Sequence, residues 1–447
     1  MRVSKKVRIG CGAGFAGDRI EPAIELAERG RLDFLFFEGL AERTLAQSHL
    51  ARLQNPALGY NPLLERRISA VLPACRANGT RIVTNMGAAN PLGAARAIAA
   101  AAAHLGFSGL RIAVVQGDEV SSLIDPAMTS LETGEALAKT GRSMIGANAY
   151  LGAEAIATAL AMEADIVVTG RVADPSLVVG PLVHSFGWAL DDWHRLGPGT
   201  AVGHLLECSC QVTGGYFADP GFKDVDELAF VGYPLAEVDE SGDAIITKPE
   251  GSGGCVTRLT VKEQLLYEVH DPAAYLTPDV TADFSHIAIQ QAGPDRVHVS
   301  GARGRPRPDS LKVTVGFDGG VLAEAEISYA GPGAADRARL AMEIVRLRME
   351  RLHRCSDVIR FDIIGMSSLH SSAIADPAPS NDVRLRAAMR TADAQLGQQL
   401  LAEVEALWIA GPAGGAGARG RLVPSIITQS VLIDRALVKP QIEMVEA

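Results

Sequence analysis

The chain has 447 residues, 47% of them hydrophobic and 21% charged, with a formal net charge of −10. That length exceeds one ordinary core, so two or three domains of a soluble globular enzyme are expected. The acidic balance, with no Lys/Arg-rich tract, excludes non-specific nucleic-acid binding, which needs a basic face.

The N-terminal stretch "MRVSKKVRIGCGAGF" has a short apolar run broken by glycines and does not read as a signal peptide. Its first strand is expected at Val7–Ile9, followed by "GCGAGFAGDR" and a helix over Ala23–Arg29. A second strand, Phe34–Phe37, runs into "EGLAERT". A helix over Pro62–Asn78 leads to the strand Arg81–Thr84 and the loop "NMGAANP". The alanine-rich stretch Ala94–Gly106 is too short to span a bilayer and reads as a buried helix over Ala94–Leu105. The strand Ile112–Val115 ends in "QGDEV"; after a helix over Ala153–Glu163, the strand Ile166–Thr169 ends in "GRVADPS".

This βαβα rhythm predicts an α/β fold, with a mostly parallel sheet and flanking helices in the N-terminal half. Ligands of such sheets gather at the carboxyl ends of the strands. Five successive strand ends carry Gly with Asn, Asp, Glu or Arg, which points to one shared pocket, although the same residues are good turn formers.

From about Asp219 the texture changes. Leu311–Tyr329 reads as two alternating strands around an Asp318-Gly319-Gly320 turn. A helix over Ala338–Leu352, a strand Val358–Ile364, a helix near Val383–Ala402 and a strand Val404–Ile409 are expected next. The domains read as 1–218, an α/β domain with the strand-end pocket, 219–330, a mainly β insert, and 331–447, a smaller C-terminal α/β segment. No internal repeat is visible.

Six cysteines lie scattered without a CxxC pair. Cys208 and Cys210 would share one face of a strand, but no second pair completes a zinc site. Reduced thiols in a cytoplasmic protein without a membrane segment are the expectation.

Gly12-x-Gly14-x-x-Gly17, with Glu38 about twenty residues on, has the outline of a dinucleotide fingerprint. In that fingerprint the third glycine lies inside the first helical turn. Pro22 is best placed at the first helical position here, so all three glycines precede the helix. Asp18 near that terminus would take the free N–H groups and repel a phosphate. The loop is therefore read as presenting Asp18 and Arg19 to the pocket, with Glu38 facing it too.

"GAGFAGDR", "LDFLFFEGLAERTL", "TNMGAANP", "AVVQGDEV", "ADIVVTGRVADPSLVVGPL" and "HLLECSCQVTGGYF" resemble the acyclic terpene utilisation AtuA family. The resemblance runs in order over roughly residues 7–285 and is diffuse beyond. It implies a place in the breakdown of branched acids through coenzyme A thioesters, beside acyl-CoA carboxylases and hydratases. It also implies a ferredoxin-like C-terminal module. This chain is expected to end before that module, which leaves room for a separate small ferredoxin-fold subunit.

The candidate residues follow from chemistry. Arg171 could anchor a carboxylate or thioester-linked acid bidentately, while Asp174 could hold Arg171, act as a base or cap a helix. Asn85 and Asn90 could donate to an enolate oxygen as oxyanion-hole amides do, or simply shape turns. Asn148 and Tyr150 precede a helix. Glu207 in "LLECSC" could have its proton affinity raised by an apolar setting and serve as acid or base. Cys208 lacks a sequence-adjacent His to activate it. Lys248 in "ITKPEGSGG" could meet a phosphate or carboxylate. Gln264, Tyr267 and Glu268 should share a helix face. No cofactor is required, but Asp18, Glu38 and Asp118 could gather around Mg²⁺ or Ca²⁺.

The reading reached is a hydro-lyase acting on a small anionic carboxylate or a CoA thioester, in a homo-oligomer. Glu207, Asp174, Asn85 and Tyr150 would be catalytic; Arg171, Asn90, Asn148, Arg19 and Lys248 would bind substrate. Two alternatives stand beside it: a non-catalytic scaffold for a carboxylase or small partner, and an NAD(P)-dependent dehydrogenase.

Overall fold

The computed structural model describes residues 5–369 and 380–447. Two compact units emerge: residues 1–140, 144–316 and 428–447 form the first, and 141–143 with 317–427 the second.

The elements of the first unit, in chain order, begin with β1 (Lys6–Ala13), α1 (Glu21–Arg29), β2 (Phe34–Phe37), α2 (Glu42–Gln54), α3 (Leu64–Asn78) and β3 (Arg81–Thr84). Then come α4 (Pro91–His104), β4 (Arg111–Gln116), β5 (Met144–Ala149), α5 (Ala153–Ala161), β6 (Ile166–Thr169), α6 (Ser176–Phe186) and α7 (Trp193–Glu207). After β7 (Leu235–Asp239), β8 (Ala244–Thr247) and α8 (Arg258–Leu266), the chain forms β9 (Tyr275–Leu276), β10 (Thr281–Asp283), β11 (Ala288–Gly293), β12 (Arg296–Ser300) and β13 (Arg303–Arg305).

The five expected strands pair in parallel in the order β1-β2-β3-β6-β4. Every residue of Phe34–Phe37 and Ile166–Thr169 is buried, as fits a sheet covered on both faces. Leu26, Ile68, Val71 and Ile98, from α1, α3 and α4, pack on Leu35, Ile82 and Val168 of the sheet. Sequence explains the helix bounds. Asn90 caps α4 by accepting from the Gly93 N–H, with Pro91 opening the helix, and Gly79 ends α3 in the left-handed conformation at φ +69°.

The sheet continues past β1 through antiparallel β7, β8, β12 and β11. The segment from 219 thus extends the first sheet, and the expected boundary after 218 does not coincide with a unit boundary. A three-stranded sheet of order β13-β10-β9 completes this part.

Leu311–Tyr329 does not turn back on itself at Asp318-Gly319-Gly320. It lies within one strand, β14 (Ser310–Ala330), in which Gly320 takes φ +73° and Gly319 lets the Ser425 backbone approach. Alternating apolar residues fit one long strand as well as two short ones, and only the pairing partner decides. After α9 (Ala334–Arg351) and β15 (Ile359–Ile364) comes β16 (Asp382–Thr391), where a helix had been expected near Val383–Ala402. Val383, Leu385, Ala387 and Met389 alternate into the core, a period of two that the flanking helical residues obscured. The expected strand Val404–Ile409 falls inside α10 (Ala394–Ala410), where Leu400, Val404 and Leu407 follow helical spacing. The last strands are β17 (Ala416–Asp434) and β18 (Gln441–Glu446); β18 pairs antiparallel with β4.

In the second unit β14, α9, β15, β16, α10 and β17 follow in βαββαβ order, with strand order β15-β16-β14-β17. That is the split βαβ, ferredoxin-like arrangement. No helix among the described residues is long and apolar enough to cross a membrane.

One buried carboxylate ties two helix starts. Asp279 accepts from the Ala153 N–H at 2.7 Å, at the start of α5, and from the Ser176 hydroxyl at the start of α6. We expect Asp279→Ala to destabilise the protein by about 2–3 kcal/mol, since it leaves buried donors without an acceptor. Urea unfolding checks this, and a change within error would show that the carboxylate does not hold the helix starts.

Candidate functional site

A cavity of about 1180 Å³ lies at the carboxyl ends of β1, β2 and β6. The loop after β1 contributes Gly14 and Asp18, that after β2 Glu38 to Thr44, and that after β6 Arg171 to Pro175. The end of α7 adds Glu207 and Cys208, and the segment after α8 adds Tyr267 and Glu268. Tyr150 and Lys312 close another wall.

Arg171 is fully buried. Its guanidinium donates to the carbonyl oxygens of Leu40 and Val172 and to the Asp174 carboxylate. Burial disfavours the cation, but Asp174 and the other acids outweigh that and hold its pKa above the ordinary value. The guanidinium is thus engaged with the protein instead of standing free for a substrate carboxylate. Asp174 does not cap α6, whose first turn has no side-chain cap. Its carboxyl is raised by loss of solvent, opposed by Arg171.

Glu38 is 93% buried, at 7% exposure. Its Oε1 accepts from the Leu40 N–H at 2.7 Å and from Asn85 Nδ2 at 3.1 Å. Asn85 Oδ1 in turn accepts from the Gly39 N–H at 2.8 Å. Asn85 therefore orients Glu38 from behind the cavity and is not among its lining residues. Desolvation, helped by the charge of Asp174, pushes Glu38 up to about 8, against the pull of Arg171 and the two donors.

Glu207 forms the second acid centre. Its Oε1 lies 2.9 Å from His204 Nδ1, three residues earlier on α7, while its buried Oε2 has no hydrogen-bond partner. His204 Nε2 lies 3.3 Å from the Leu265 carbonyl oxygen, which only accepts, so Nε2 carries a proton. The Nδ1–Oε1 contact then holds one shared proton. Desolvation raises Glu207 to about 7 although His204 draws it down. Burial lowers His204, but its bond to Glu207 outweighs that and raises it. The ring is enclosed by Tyr275 and Phe284.

Tyr150 donates to Glu42 at 2.5 Å, and its ring lies between the Arg171 guanidinium, 4.5 Å from the centroid, and Lys312 Nζ at 5.0 Å. Burial pushes its hydroxyl up to about 12, so it stays protonated. Lys312 pairs with Glu42 at 3.0 Å. Glu42 is held down at about 2 because the Tyr150 and Lys312 bonds outweigh its desolvation.

Other expected site residues lie elsewhere. Asn90 caps α4 and donates to the Pro56 and Leu58 carbonyl oxygens. Asn148 bonds His49 at 2.5 Å and Asp118 at 2.8 Å; Asp118 also accepts from the Arg171 N–H. Neither Asn148 nor Asp118 lines the cavity. Arg19 donates to the Ala229 carbonyl oxygen, and Lys248 meets Ser252 and Asp295; neither lines the cavity. Gln264 is buried on α8 and donates to the His204 carbonyl oxygen, whereas Tyr267 ends that helix, so the expected shared face breaks.

Cys208 and Cys210 follow α7 instead of lying on a strand, and burial raises both thiols, Cys210 to about 11, which disfavours a nucleophilic thiolate. Among the described residues no group of three or more His, Cys, Asp or Glu is disposed to hold a metal ion.

The glycine loop is filled by protein. A Cβ on Gly12 would meet the Phe37 ring at 2.5 Å, and one on Gly14 the Cys208 backbone at 2.6 Å. Asp18 does not cap α1; it closes the loop, accepting from the Gly14 N–H at 2.9 Å and the Tyr233 hydroxyl at 2.6 Å. The close approach that glycine permits brings in the end of α7, and with it Glu207.

His204, Glu42 and Lys312 were not singled out in the sequence. His204 could have been, since "HLLE" places it three residues before Glu207 once a helix is assigned there. Lys312 joins the cavity only through tertiary folding.

Compared with known proteins, residues 7–444 match the family described as acyclic terpene utilisation family protein AtuA. No curated protein matches the chain. Among solved structures the de novo designed protein Ferredog-Diesel matches at 18% identity, over 23% of this chain and 85% of the design, with a TM-score of 0.16. That likeness is too slight to bear on the fold.

The raised carboxyls link stability to pH. With Glu38 at about 8 and Glu207 at about 7, the folded protein binds more protons than the unfolded chain between about pH 5 and 8. Stability must therefore fall as pH rises through that window. The melting temperature should be lower at pH 8 than at pH 6, with a smaller difference in Glu38→Gln. An identical pH dependence in the variant would remove Glu38 as its cause.

Proposed function

The chain belongs to the acyclic terpene utilisation AtuA family, and from that premise we propose that it is a hydro-lyase acting on carboxylic acids or acyl thioesters. What carries the reading is the pairing, at one cavity, of two enclosed carboxyls held near neutrality by different surroundings.

Near pH 7.5 Glu38 is mostly protonated and its Oε2 is a donor; Glu207 with His204 is poised to take a proton. In dehydration the Glu207 carboxylate removes the proton on the carbon next to the substrate carbonyl. Glu38 gives its proton to the departing hydroxyl. One C–H and one C–O bond break, a C=C bond forms and water leaves, with the two acids returned to their starting states by solvent. Hydration is the reverse. Tyr150, protonated and with its O–H donated to Glu42, is a fixed wall of the cavity beside these groups.

Nothing in the glycine loop favours a dinucleotide, because Phe37 and Cys208 occupy the space beside Gly12 and Gly14. A scaffold role would give no purpose to a buried carboxyl oxygen without a partner. A cytoplasmic homo-oligomer that needs no redox cofactor, with or without a small ferredoxin-fold subunit, fits the same chemistry and belongs to this proposal.

The test is turnover of paired 3-hydroxyacyl and 2-enoyl compounds, as N-acetylcysteamine thioesters and free acids, followed in D₂O. Wild type should interconvert a pair with deuterium at the carbon next to the carbonyl. Glu38→Gln and Glu207→Gln should each lower kcat by about 10²–10⁴-fold. Activity should rise with pH through about 7 as Glu207 ionises and fall through about 8 as Glu38 does. Full activity in both variants would overturn the proposal.

A further inference from the structure

We infer that the cavity takes its substrate as a neutral acyl compound, with an ester or thioester carbonyl, and discriminates against the free carboxylate. This deepens the acid–base reading and rests on it.

The argument is one of charge pairing. Besides Arg43, two cations line the cavity, and each already has its acid: buried Arg171 with Asp174, and half-exposed Lys312 with Glu42 at 3.0 Å. Arg171 is further spent on the Leu40 and Val172 carbonyl oxygens. Arg67, behind the glycine loop, donates to the Asp18 carbonyl oxygen at 2.6 Å and does not line the cavity. Arg43 stands at the exposed rim, with Glu268 also exposed there. Glu38, Glu207 and Asp18 complete the lining acids. A carboxylate entering this interior would be a buried charge without a cation of its own.

A neutral carbonyl meets no such penalty. The remaining walls suit a carbon chain, with Phe15, Leu40, Leu276, Pro278 and Leu311 around the opening and sides. The cavity volume of about 1180 Å³ exceeds what a small acid needs, leaving room for an acyl chain and part of the group esterified to it.

The experiment is calorimetric titration of the full chain at pH 7.5 with octanoate, decanoate and the N-acetylcysteamine thioester of each. The thioesters should bind at least about tenfold tighter than their acids. Glu42→Gln, which releases Lys312 from its partner, should raise carboxylate affinity by about tenfold and so narrow the thioester preference. A carboxylate that binds as tightly as its thioester, the failure of every thioester to bind, or carboxylate affinity unmoved by Glu42→Gln would overturn the inference. Tight thioester binding without deuterium incorporation would instead sink the hydro-lyase reading and leave this one standing.

Discussion

The site depends on one buried guanidinium. Arg171 sits just past β6, donates to the carbonyl of Leu40 past β2, and through its own N–H reaches Asp118 past β4. Three strand ends are thereby tied to one residue, whose buried guanidinium cannot be deprotonated in the physiological range. A buried cation needs an acid, and Asp174 supplies it. Once that pair is complete, Glu38 and Glu207, which have no Arg or Lys of their own, must find another way to lose their charge.

Protons are that way. Glu38 has backbone and amide donors on one oxygen, but desolvation and the nearby Asp174 charge outweigh them. Glu207 shares a proton with His204 across 2.9 Å. The same poverty of cations that raises these acids also makes the interior hostile to an anion. Acid–base competence and preference for a neutral substrate thus have one electrostatic origin.

Much of the framework was legible in the sequence. Phe34–Phe37, Arg81–Thr84 and Ile166–Thr169 are short apolar runs bounded by polar turns, and each is a parallel strand with those bounds. The stretches 311–329 and 383–409 were harder: alternation and helical spacing overlap there, and the pairing of β14 with β16 settles what a local window cannot. In the site, residue type identified the strand-end acids but not their partners. Asn85 and Asn148 look alike as loop amides, yet one orients Glu38 and the other ties Asp118 to His49. Arg171 looked like a substrate anchor because a sequence shows a cation's charge and not the three carbonyl and carboxylate contacts that consume it.

The central claim is that Glu38 is a neutral carboxylic acid at physiological pH. Infrared difference spectroscopy on protein with ¹³C-labelled glutamate, wild type against Glu38→Gln, reads this directly. The account predicts a protonated carboxyl band at pH 7 that loses the Glu38 contribution in the variant, keeping only that of Glu207, and fades in wild type as pH rises past about 8. Spectra showing only ionised glutamate in the wild type at pH 7 would contradict it.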